Sequence, residues 1–279
     1  MARKRIRYRD VKTRSARKKL LAHSSKVPFV IHQTAPKDEN QWHPAWKICQ
    51  QSWKRVFSEY EYKMWDDDDL FTLVKDYYPE YLNLYKNYPL HICRVDIARF
   101  FILHRFGGIY ADMDVYCFKN FHHLLKKVNV VEGNCEDEIM QNSMMASAPQ
   151  QDIWIEAVKK SQSMTTVQDV LRREVNAEKR DRFKVGDLVR QLTGPKLLSD
   201  FSKEVNILPK KKFNPSHTSE DWEKTKGVYT KHIMTGKWAD GRKINQNLKK
   251  ESFRRRNIMK GVSSEFSEKL DIHIVSKEI

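Results

Sequence analysis

Apolar and polar positions follow two rhythms along this chain, and the switches between them mark out elements. Val27-Pro-Phe-Val-Ile31 is a short apolar, β-branched run that predicts a buried strand, followed by polar His32-Gln33-Thr34 where that strand meets solvent. Trp42, Trp46, Cys49, Trp53 and Val56 recur at the spacing of one helical face, so 42–57 predicts a helix. Tyr60-Glu-Tyr-Lys-Met-Trp65 alternates as a second strand. Asp66 to Asp69 ends it, and Asp68 or Asp69 is placed to cap a helix over Leu70 to Tyr77, ahead of Pro79. A strand–helix–strand–helix order predicts an α/β fold with a mostly parallel sheet.

The richest stretch is Arg94-Val-Asp96-Ile-Ala-Arg99-Phe-Phe-Ile-Leu-His-Arg-Phe-Gly107-Gly108-Ile-Tyr-Ala-Asp112-Met-Asp114. It reads as an amphipathic helix, a glycine break, and a strand ending in two carboxylates. Residues i and i+2 of a strand face the same side, so Asp112 and Asp114 can converge on one ion. Mn²⁺ or Mg²⁺ prefers oxygen ligands and keeps open positions for substrate phosphates. Asp96 and Arg99 are neighbours on one helical face, either a surface ion pair or, since Ala98, Phe101, Ile102 and Phe106 make the helix largely apolar, charges that need partners in the interior. The run Asp66 to Asp69 competes as a metal site, but a helix N-terminus accounts for it as cap and solvated charge.

Composition narrows the class. A chain of 279 residues with 40% hydrophobic content can build a real core. The longest nearly apolar stretch, Ile97 to Leu103, is interrupted by Arg99 and falls far short of the roughly 18 residues a membrane span needs. Residues 1–26 hold eleven Lys or Arg against one Asp, which is +10 of the net +16. This basic arm predicts a disordered or loosely helical segment suited to nucleic acid or an anionic membrane surface. It lacks the apolar core of a secretory signal. Cys49, Cys93, Cys117 and Cys135 form no Cys-x-x-Cys pair, which implies reduced thiols in an intracellular setting. Lys210 to Lys212 and Arg254 to Arg256 read as a solvated basic face.

The Arg-x-Asp-x-x-Arg helix followed by Gly-Gly-Ile-Tyr-x-Asp-x-Asp resembles the DXD sugar-binding region of glycosyltransferases related to fungal α-1,6-mannosyltransferases and inositol-phosphorylceramide mannosyltransferases. The glucosylating clostridial toxins share a looser version. Further segments match in the family's order: Pro28-Phe-Val-Ile-His32-Gln33, Tyr60-Glu-Tyr-Lys-Met-Trp65-Asp66-Asp67, Asn142-Ser-Met-Met-Ala146, Thr193-Gly-Pro195 and His232-x-x-x-Gly236-x-Trp238.

The resemblance implies a GT-A fold, a Rossmann-like α/β domain over 27–240, with the arm before it and a basic C-terminal extension over 241–279. It implies a nucleotide-sugar donor, a divalent metal, usually manganese, and a glycan, lipid or protein acceptor. Asp114 is the implied direct metal ligand and His232 completes the metal or diphosphate site. Asp112 would contact ribose or sugar and also touch the metal. Asp96 and Arg99 would hold sugar hydroxyls and phosphate, and Asn142 would lie near the donor sugar. His32, Gln33 and Thr34 would bind base or ribose, with Trp238 also at the donor. Family members with this signature generally retain anomeric configuration. The basic arm in place of a signal anchor implies a cytoplasmic enzyme, bacterial or viral, peripheral to a membrane at most. Two other classes fit the residues: a metal-dependent phosphohydrolase or nuclease, and an inactive GT-A-fold nucleic-acid-binding or scaffold protein.

Overall fold

The first strand starts three residues later than the apolar run. Pro28 has no N–H to give a ladder and its carbonyl instead accepts from Val30 N at 3.0 Å, so β1 is Val30–Thr34 and includes His32, Gln33 and Thr34. The computed structural model describes residues 26–125, 129–133, 140–215 and 227–235. All of these lie in one unit that ends at Thr235. Nearly all of the basic arm, Cys135, Trp238, Arg254 to Arg256 and the extension 241–279 lie outside the described residues.

In chain order β1 is followed by α1 (Pro44–Val56), β2 (Glu61–Trp65), α2 (Asp67–Tyr77), α3 (Leu82–Asn87) and α4 (His91–Phe106). Then come β3 (Gly108–Ala111), β4 (Val115–Cys117), β5 (Asn129–Gly133) and β6 (Met140–Ser147). The helices α5 (Asp152–Ser163), α6 (Thr165–Asn176), α7 (Arg182–Leu192) and α8 (Pro195–Ser199) precede β7 (Asn206–Leu208), α9 (Lys210–Phe213) and β8 (Thr230–His232). The sheet order is β2-β1-β3-β6-β5-β7, with β4 and β8 paired separately. β1 is parallel to both β2 and β3, β5 is parallel to β7, and β6 alone runs against its neighbours β3 and β5. This is the mostly parallel α/β sheet that the GT-A resemblance implies.

Strand alternation sends each face of the sheet to its own core. Ile31, Ile109, Ala111 and Ala146 pack with Trp53 and Phe57 on one side. Tyr110 and Met145 face the other side, into a core with Phe100, Phe101 and Leu103 of α4 and Trp154 of α5. Each fully buried aromatic stabilises by about 2 kcal/mol, so α4, apolar almost all round, is fixed as a central helix.

The break after α4 requires glycine. Gly107 caps the helix at φ +62° with its N–H on Leu103 O at 2.9 Å. Gly108 follows at φ +92°, where a Cβ would stand 2.5 Å from Val30 Cγ1 and 2.7 Å from Val30 O. The acidic run is a capping box, as its position suggested, but the cap is Asp66 rather than Asp68 or Asp69. Asp66 Oδ1 accepts from Asp69 N at 2.9 Å and Asp69 Oδ2 accepts from Asp66 N at 3.2 Å, so α2 begins one turn earlier than its apolar pattern does.

Candidate metal and donor site

The chain changes direction over the sheet between β1 and β3. From β1 it moves outward to β2, then returns past β1 to β3, and open α/β sheets hold ligands at the carboxyl ends of strands at such a switch point. At this end of β1 Gln33 is fully buried and ties two elements together: Nε2 donates to Asp112 O at 3.1 Å and Oε1 accepts from Tyr62 Oη at 2.7 Å.

The glycine turn folds α4 back along β3 and brings its charges to the strand end. Arg99 Nη2 lies 3.0 Å from Asp96 Oδ1 and 3.1 Å from Asp112 Oδ1, while Nη1 donates to Asn142 O at 3.0 Å. Asp96 also accepts from Asn142 Nδ2 at 3.2 Å and from Thr193 Oγ1 at 3.1 Å. The side chains of Asp96 and Arg99 are only 7% and 6% exposed, whereas Asp112 keeps 21%. This is therefore a buried ion-pair network with one edge on the crevice, not a surface pair.

Charge follows from these contacts. Burial raises Asp96 to about 6 against the pull of Arg99, and burial raises Asp112 against the same cation. Burial alone would lower Arg99, but Asp112, Tyr110 and Asp96 together push it further up, so it stays a cation. For Asp114 burial would raise the carboxyl, yet the charge and hydrogen bond of His232 and two hydrogen bonds from Thr235 hold it well below the usual range.

Asp114 and His232 meet because β4 pairs with β8. Val115 stands opposite His232, Ile233 N donates to Asp114 O at 2.8 Å, and His232 Nε2 lies 3.1 Å from Asp114 Oδ1. His232 is carried on a strand, because β4 supplies the ladder partner of β8. Ligand atoms of Asp112, Asp114 and His232 all lie within 4.8 Å of one another. Two carboxylates and an imidazole, each side chain 13–21% exposed, fit a hard divalent ion that keeps positions open to a ligand.

The other candidates divide. Thr34 joins the site through Tyr110: the Tyr110 hydroxyl donates to Asp112 Oδ1 at 2.9 Å and lies 2.9 Å from Thr34 Oγ1. Asn142 sits beside Asp96 and Arg99. His32 is 1% exposed and braces the glycine turn, with Nε2 3.0 Å from Gly107 O and Nδ1 accepting from Trp65 Nε1 at 3.2 Å. Burial lowers it to about 4, so the ring is neutral. Tyr110, Thr193 and Thr235 complete the site although sequence reasoning gave them no role. Tyr110 lies on β3 two residues before Asp112, which follows the end of that strand. Thr235 bonds Asp114 through a fold of the chain that no periodicity announces.

Residues 44–131 match the family described as a glycosyltransferase sugar-binding region containing the DXD motif. That match covers 88 of the 279 residues. It carries Asp96, Arg99, Asp112 and Asp114, while Asn142 and His232 come from outside it. Inositol phosphoceramide mannosyltransferase 3 of Schizosaccharomyces pombe is 38% identical over 123 residues, 43% of this chain and 33% of that protein. A mannosyl phosphorylinositol ceramide synthase of Saccharomyces cerevisiae is 30% identical over 133 residues, 48% of this chain and 34% of its own length. The matched part thus spans about a third of these relatives. The solved PaToxG glycosyltransferase overlays with a TM-score of 0.38 at 16% identity, covering 68% of this chain and 78% of that one. The similarity to these fungal mannosyltransferases contradicts the cytoplasmic location that the basic arm and the cysteine pattern implied. Among the described residues no helix is long and apolar enough to cross a membrane.

Proposed function

We propose that this DXD region belongs to a divalent-metal-dependent glycosyltransferase that moves a hexose from a UDP- or GDP-sugar to a hydroxyl acceptor. The observation that carries the proposal is the adjacency of two sets of side chains that share Asp112. Asp112, Asp114 and His232 form a metal-ligating group, and Asp96, Arg99 and Asn142 form a polar wall beside it. The relatives' names point to mannose as the first sugar to try and an inositol phosphoceramide headgroup as the first acceptor, ahead of glycan or protein.

In this reading Asp112, Asp114 and His232 hold Mn²⁺ or Mg²⁺, which supplies positive charge for the departing diphosphate. The chain's own groups do the rest. Arg99 offers a planar fork to phosphate or sugar oxygens, kept in place by Asp96 and Asn142. Asp96 accepts from sugar hydroxyls at the buried end of the crevice. Thr34 faces the ribose side, while Gln33, fully buried, holds the backbone of Asp112 and His32 fixes the glycine turn. Asp96, Asp112 and Asp114 are all engaged, and the described residues contain no other grouped metal-type ligands. The acceptor oxygen then attacks the anomeric carbon on the face from which the diphosphate leaves. Its proton passes to the leaving diphosphate, and configuration is retained.

The test is release of nucleoside diphosphate from a panel of UDP- and GDP-hexoses with manganese, with and without chelator. Metal-dependent release from one donor is expected. A chain that neither cleaves nor binds any of them sinks the proposal.

A further inference from the structure

Asp114 is held by more than His232. Its Oδ2 accepts from Thr235 N at 2.8 Å and from Thr235 Oγ1 at 2.9 Å. Thr235 Oγ1 in turn lies 3.1 Å from Trp46 Nε1. An indole N–H can only donate, so the Thr235 oxygen accepts from Trp46 and its single proton goes to Asp114. The indole thereby fixes the hydroxyl rotor. Met234, between His232 and Thr235, has φ +57°, a left-handed conformation uncommon for a residue with a side chain. That kink lets both the backbone N–H and the hydroxyl of Thr235 reach one carboxylate oxygen, and local strain of this kind persists where surrounding contacts over-determine it.

We propose that Trp46 and Thr235 are positioning residues for the metal centre: they set the rotamer of Asp114 so that its other oxygen faces Asp112 and His232. This rests on the reading of Asp114 as a metal ligand. Trp46 lies in α1, on the far side of the sequence from Thr235, so the relay also joins the helix after β1 to the strand that delivers His232. Partners of this kind orient a ligating carboxylate and are felt in metal affinity before they are felt in the fold.

The experiment titrates the full chain with Mn²⁺ alone, reading free manganese by electron paramagnetic resonance and folding by thermal melting. The variants are Thr235→Val, Thr235→Ser, Trp46→Phe and, as control, Asp114→Asn. Thr235→Val keeps shape and backbone N–H but loses the hydroxyl, and Mn²⁺ affinity falls by about tenfold. Trp46→Phe releases the rotor without touching Asp114 and weakens Mn²⁺ by roughly threefold, while Thr235→Ser, which restores the hydroxyl, stays within about twofold of wild type.

If wild type binds Mn²⁺, Asp114→Asn does not, and both Thr235→Val and Trp46→Phe bind as tightly as wild type, the relay is overturned while the metal site stands. If Thr235→Val melts early, the outcome rests on Trp46→Phe and on rescue by Thr235→Ser. No Mn²⁺ binding by folded wild type overturns the relay together with the metal-site reading beneath it.

Discussion

Arg99 reaches Asp112 across the glycine turn, Nη2 to Oδ1 at 3.1 Å, from the middle of one helix to the end of the next strand. That contact makes the helix and the strand end a single site, and it is buried. Removing the cation leaves Asp96 and Asp112 as uncompensated interior charges. Arg99→Met should therefore lower stability by about 3–5 kcal/mol in urea unfolding. Arg99→Lys keeps the charge but not the fork that holds Asp96, Asp112 and Asn142 O together, and should weaken donor binding by about tenfold with a smaller loss of stability.

Gly108→Ala should be worse than an ordinary surface change. The new Cβ would stand 2.5 Å from Val30 Cγ1 at a backbone angle that L residues avoid. Overpacking and the left-handed conformation together are worth roughly 3 kcal/mol. Thermal melting of the purified variant checks this, and an unchanged midpoint would contradict the account of the turn.

His32 predicts a pH dependence of known sign. Its folded value of about 4 lies below the ordinary 6.5, so the unfolded chain takes up the proton first. The stability it contributes is whole above pH 6.5 and is lost as pH falls toward 4, on the order of 3 kcal/mol in total. Urea titrations between pH 7 and 4 should show wild type losing more stability than His32→Leu over that window. Parallel slopes would refute it.

Tyr110→Phe removes the hydroxyl shared by Thr34 and Asp112, and Thr34→Val removes the other end of the same chain. Each should cost about 1 kcal/mol, and the double variant should cost less than their sum, because both changes break one network. Simple additivity in denaturant unfolding would mean that the three groups are not linked.

Much of this was legible in the sequence because its signals are local. The period of α1, the alternation of β2 and the glycine pair after α4 each depend on neighbours in the chain. The Asp112–Asp114 pair reads in the sequence as two positions of one strand, but β3 stops at Ala111 and both carboxylates sit in the turn before β4, where Val115 N donates to Asp112 O at 3.0 Å. The start of β1 was misplaced because apolar character continues through Pro28, while the ladder depends on partners in β2 and β3. The capping residue was misplaced because Asp66 and Asp69 act reciprocally. His232 gave only a weak signal: its place depends on β8 pairing with β4, a contact between residues far apart in the chain. The brace formed by His32 and the link from Trp46 to Asp114 are tertiary in the same sense, and no spacing encodes them.

The central claim is that Asp112, Asp114 and His232 together hold an ion against a nucleotide diphosphate. It is tested most directly by calorimetric titration of the full chain with UDP and GDP, with and without Mn²⁺, in wild type, Asp114→Asn and His232→Ala. The account predicts that Mn²⁺ tightens binding of one nucleotide to wild type by about tenfold or more, and that both variants lose this enhancement while remaining folded. Equal affinity with and without Mn²⁺ in wild type, or an undiminished enhancement in Asp114→Asn, would contradict it.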